Sequence, residues 1–141
     1  MRIFLPVLII LTLVACAKPA TTVAGRWYTE EQVVAGAPLY QTYCAVCHAA
    51  DGSATAEWKT PGADGNYPPP PLNGTAHTWH HPLELLDYTI VNGGVEYGGV
   101  MPGFGEALDE AQRLAIVAWF QSLWTDDIYD KWLEIDQRNA E

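Results

Sequence analysis

Cys44 and Cys47 stand three residues apart with His48 immediately after, in the run Cys44-Ala45-Val46-Cys47-His48. On one helical turn the two thiols and the imidazole are neighbours. Thiols at this spacing add across the two vinyl groups of a haem, and the adjacent imidazole then lies under the iron, so the run reads as a site for one covalent haem c. Two other chemistries use such a thiol pair. A structural zinc site needs further cysteine or histidine at partner spacing, and the chain has no second cysteine pair. A redox dithiol sits more often between a strand and a helix, a context the flanking sequence lacks.

The other face of the iron decides between an electron relay and an open reaction site. The chain has two methionines, Met1 and Met101, and Met1 belongs to a targeting segment described below. A thioether ligand would therefore be Met101. It stands between a glycine-rich loop and Pro102, whereas a methionine that only fills a core gap usually sits on a helix or strand. His77, His80 and His81, in "AHTWHHP", are the rival ligands. Trp79 among them suits either a hydrogen bond to a haem propionate or plain packing. Asp51-Gly52 reads as a turn.

Helices must position these groups, because no segment shows convincing strand alternation and no internal repeat is present. A first helix is expected from Thr29 into the thiol pair, opened by a capping box of Thr29 and Gln32. Val33, Gly36, Tyr40, Cys44 and Cys47 fall on one face of it, while Pro38 inside the run favours a kink or a split. The polar, proline-rich stretch from Ala49 to His80 has little helix potential and is long enough to wrap something. A short helix follows in "PLELLDYTIVNGG", with Pro82 expected in its first turn and Asn92-Gly93-Gly94 as its stop. Asp109 is a good N-cap for "EAQRLAIVAWFQSLW". That helix is apolar nearly all round and is expected to be buried on more than one side. Ile128, Trp132 and Ile135 mark a further amphipathic helix in the tail.

Together these positions resemble the small monohaem class I cytochromes c of bacteria, over roughly residues 29–124. Gly36, Tyr40 and Cys44 match the family's first helix, where a small residue and an aromatic meet the last helix, and Trp119 matches the aromatic of that last helix. "PPLNG" is similar to the family's Pro-x-Leu-x-Gly segment, and "MPGF" to its distal-ligand loop. The resemblance implies an all-α cytochrome c fold wrapped around the haem, with His48 and Met101 as the two iron ligands. It also implies a Pro70 carbonyl accepting a hydrogen bond from His48, and Leu72 packed on the haem. Pro38, the four-proline run, the acidity and the C-terminal extension depart from the pattern.

The composition narrows partners and place. Seventeen acidic against seven basic side chains give a formal charge of −10, which argues against nucleic-acid binding and against adsorption to anionic lipid. "MRIFLPVLIILTLVAC" has a basic start and an apolar run too short for a comfortable bilayer span. Its end, Leu13-Val14-Ala15-Cys16, resembles a bacterial lipobox. The expected organisation is a lipoprotein signal peptide over 1–15, lipidated Cys16 and a tether over 16–28, a cytochrome c domain over 29–125, and a C-terminal helical extension over 126–141. The protein is then exported and held by lipid at the extracytoplasmic face of a bacterial membrane. A filled His/Met axis makes it a one-electron carrier between redox proteins of an electron-transport chain, with no residue that is catalytic in bond breaking. The alternatives are a subunit of a larger respiratory redox complex, and a haem sensor or enzyme in which Met101 is labile.

Overall fold

The structure is a computed structural model that describes residues 21–140; the signal segment and Cys16 lie outside them. Five α-helices form: α1 (Glu30–Tyr43), α2 (Ala45–His48), α3 (Leu83–Asn92), α4 (Glu110–Gln121) and α5 (Asp126–Asn139). Among the described residues no strand forms, and a lone antiparallel bridge pairs Thr22 with Thr29. The fold is all-α, as expected of a cytochrome c.

The capping residues act where the sequence placed them. Thr29 and Gln32 exchange both hydrogen bonds at the start of α1, and Asp109 and Gln112 do the same for α4. Pro38 does not break α1, which runs on to Tyr43. The N–H that proline lacks would have gone to the carbonyl of Val34, an exposed residue. The interruption comes instead at Cys44, whose backbone (φ −113°, ψ −36°) steps off helical geometry before α2 begins.

The close crossing of α1 and α4 is the centre of the fold. A Cβ at Gly36 would overlap the Ala115 carbonyl oxygen, so only glycine allows the two backbones to approach this closely. One turn along, the ring of fully buried Tyr40 packs on Trp119 with centroids 4.0 Å apart. As its composition requires, α4 is buried on several sides, through Ala115, Ile116, Val117, Ala118, Phe120 and Gln121. Arg113 of α4 grips Asp87 of α3 with two hydrogen bonds of 2.7 and 3.2 Å, a bidentate geometry that fixes the relative rotation of the helices.

Pro82 is the N-cap of α3 rather than a residue of its first turn: its ψ of 162° is extended. Proline has no side-chain acceptor, and the cap comes from far away, since the Leu83 N–H donates to Asp136 of α5 at 2.6 Å. Helix α5 is therefore not a solvated appendage. Trp132 and Tyr129 are buried, and the Trp132 indole donates to the His81 carbonyl at 2.9 Å.

The stretch expected as a tether also departs from expectation over its last residues. Tyr28 is buried and meets Tyr129 edge to face. The Trp27 N–H donates to the Tyr129 hydroxyl at 2.9 Å, the Trp27 indole donates to Gln121, and Arg26 lies over the Tyr129 ring and pairs with Asp126. The polar letters of residues 17–28 concealed this docking, because its aromatic partners lie about a hundred residues further on.

Candidate haem site

Helix α2 is a single turn, and that turn carries the thiol pair and the imidazole. Cys44 is buried and Cys47 exposed, and they are not joined in a disulfide. Burial, with a contribution from neighbouring Cys47, pushes the Cys44 thiol up to about 11. A thiol that reluctant to ionise is poorly suited to disulfide exchange, which uses the thiolate. Among the described residues no group of three or more His, Cys, Asp or Glu side chains is placed to hold a metal ion, so the thiols are not part of a zinc cluster there.

His48 is buried, and its Nδ1 lies 2.9 Å from the Pro70 carbonyl oxygen. A carbonyl only accepts, so Nδ1 carries the proton and Nε2 keeps its lone pair. Burial lowers the His48 pKa, partly opposed by the bond to Pro70, and the neutral imidazole is the form that binds metal. The backbone around His48 is tied down as well. The Tyr40 hydroxyl reaches the carbonyls of Ala49, at 3.0 Å, and His48, at 3.3 Å. Ala54 N–H donates to the His48 carbonyl at 3.0 Å. Ala49 itself sits at φ +61°, ψ 159°, a conformation foreign to an L side chain.

Leu72 is pinned at both ends. Its N–H donates to the Gly52 carbonyl at 2.8 Å, and its carbonyl accepts from the Trp124 indole at 2.7 Å. Asp51-Gly52 is a turn, with Ser53 N–H on the Asp51 carboxylate, but its Gly52 carbonyl is also the anchor for Leu72 and Asn73. Neither Gly52 nor Trp124 was marked as a site residue by the sequence. The only signal was their residue type, since both partners are backbone atoms remote in the chain.

Met101 is half-buried at the margin of the core, as is Leu72. Its loop is stitched to the C-terminal end of α3. Gly94 N–H donates to the Met101 carbonyl at 2.9 Å, Phe104 N–H to Ile90 at 2.8 Å, and Gly105 N–H to Val91 at 3.1 Å. A Cβ at Gly93 would come within 2.5 Å of the Met101 carbonyl oxygen, and one at Gly103 within 2.6 Å of the Val91 carbonyl oxygen. The glycines of this region thus permit two backbones to touch, and thereby hold Met101 in place. The rival histidines pack against neighbouring rings. His77 stacks on Trp58, His81 meets His77 edge to face, and His80 lies against Trp79. Burial lowers the pKa of both His77 and His81.

A family model described as cytochrome c oxidase, cbb3-type, subunit III matches residues 31–120. The chain belongs to this cytochrome c family. Its matched span opens in α1 and ends inside α4, so it contains the whole of α2 and the Met101 loop and leaves α5 outside. No curated protein matches the chain, and no solved structure does. Membership carries with it a covalent c-type haem and haem-based electron transfer. The donor set fits that group: two unpaired thiols on one turn for the thioether bonds, and a neutral imidazole whose Nδ1 is committed and whose Nε2 is free.

Proposed function

We propose that this cytochrome c is a class I monohaem electron carrier whose iron is held by His48 and Met101, working at the extracytoplasmic face of a bacterial membrane. The observation that carries the reading is the committed Nδ1 of His48. The hydrogen bond to Pro70 fixes the tautomer, aims the ring and strengthens the imidazole as a donor. When bound, the haem would supply a one-electron iron couple, and a His/Met ligand pair would favour its reduced state and raise its potential. Cys44 and Cys47 would hold the group covalently, His48 and Met101 would be its iron ligands, Leu72 and the aromatic core would keep water from it, and the glycine-backed loop would present Met101. The chain would thereby contribute a rigid, dry setting in which electron exchange needs little rearrangement.

The test is Met101→Ala. Haem attachment through Cys44 and Cys47 is expected to persist, and the iron–thioether charge-transfer band of the oxidised protein is expected to vanish. An unchanged spectrum refutes Met101 as ligand.

Lipidation at Cys16 completes the proposal: Leu13-Val14-Ala15-Cys16 has the lipobox form behind an apolar run. Mass analysis of the native N-terminus checks it, with an acylated Cys16 expected. A second reading, membership of a larger respiratory redox complex, is favoured by the family's description as an oxidase subunit. Co-purification of an oxidase with the native protein distinguishes a subunit from a shuttle.

A further inference from the structure

The segment that holds His48 is itself short of anchors. Residues 68–71 are four consecutive prolines, and none has a backbone N–H. The Pro70 carbonyl is committed to His48 and the Pro71 carbonyl accepts from the Thr78 hydroxyl at 3.0 Å. Leu72 is the first residue after the run able to donate, and it spends its N–H on Gly52. Its carbonyl is fixed by a residue 52 positions further on, through the Trp124 indole at 2.7 Å. Trp124 is 4% exposed and sits in a cluster with Phe120 and Trp132, at centroid distances of 6.0 and 6.2 Å. Gly74, at φ +88°, brings the chain so close that a Cβ there would lie 3.1 Å from Trp124 Cδ1. The indole thus meets the 72–74 segment through both its N–H and its ring.

We propose that Trp124 is a positioning residue for His48: by fixing the Leu72 carbonyl it fixes, two residues away, the Pro70 carbonyl that orients the imidazole. The inference rests on the reading of His48 as an iron ligand. It extends the site beyond the family's matched span, into the turn between α4 and α5. A firm hydrogen bond from Nδ1 makes the imidazole a stronger donor and favours the oxidised iron. Loosening the Pro70 carbonyl therefore raises the reduction potential and exposes the Nδ1 proton to exchange.

The experiment compares Trp124→Phe with Trp132→Phe in the haem-loaded protein. Trp132 is as well buried, and its indole likewise donates to a backbone carbonyl, at 2.9 Å to His81, so its hydrogen bond falls outside the 70–74 segment. Two readouts are taken: the reduction potential, and the exchange rate of the His48 Nδ1 proton by NMR of the reduced protein. Trp124→Phe is expected to raise the potential and to speed exchange about fivefold relative to Trp132→Phe, the factor matching one hydrogen bond of ordinary net strength. Either readout left at the Trp132→Phe value overturns the assignment. If Trp124→Phe yields no folded holoprotein, the same readouts are taken with 3-benzothienylalanine at position 124, which keeps the ring shape and replaces the N–H with sulfur. The wild-type spectrum separates the two levels of failure. A missing iron–thioether band removes the His48–Met101 axis, whereas a normal band with equal responses of the two variants removes the role of Trp124 alone.

Discussion

At the scale of single residues, the site is made by backbone atoms as much as by side chains. His48 supplies the imidazole, but its orientation comes from the Pro70 carbonyl, and the Leu72 carbonyl two residues on is taken up by Trp124. Ala49 shows the strain stored next to His48: φ +61° with ψ 159° places its methyl group where only glycine is comfortable. Ala49→Gly is expected to stabilise the protein by about 1 kcal/mol after the added freedom of the unfolded chain is counted. Its unfolding midpoint should rise by a few degrees, and thermal denaturation of the holoprotein checks this. Cys44, Cys47 and His48 were legible in the sequence because their chemistry demands fixed spacing. Trp124 and Gly52 were not, because a hydrogen bond to a backbone carbonyl leaves no pattern in the letters.

At the scale of elements, the α1–α4 crossing is the joint on which the site depends, since α1 leads through Cys44 into the attachment turn. Gly36 and the Tyr40–Trp119 contact were readable from the four-residue spacing and the resemblance to class I cytochromes c, and the structure places both contacts in the one α1–α4 crossing. Gly36→Ala is expected to cost about 2 kcal/mol or more, because the new methyl overlaps the Ala115 carbonyl and neither helix has a side chain to move aside. Denaturant unfolding measures the loss. Pro38 misled in the other direction: its letter favours a break, but the helix continues past it, and Val34, whose carbonyl loses that donor, is an exposed residue. The Asp136 cap on α3 and the docking of Tyr28 on Tyr129 escaped the sequence for a common reason. Each joins residues more than fifty positions apart, where local spacing has nothing to say.

At the scale of the whole molecule, the helices brace a proline-rich stretch and a glycine-backed methionine loop, and α5 is tied to residues 26–28 and to the start of α3. The formal charge of −10 favours a partner with a positive docking patch. Association with that partner should slow as ionic strength rises, through the on-rate. Stopped-flow electron transfer across a salt series checks this, and salt-independent rates count against it. The fold class was legible because helical periodicity and caps are local. Closure of both faces of the iron by His48 and Met101 is most directly tested by mixing the reduced holoprotein with carbon monoxide at neutral pH. Closed axial coordination predicts no rapid binding in the wild type, with fast binding appearing only in Met101→Ala. Rapid binding by the wild-type protein would contradict it and favour an open or labile site.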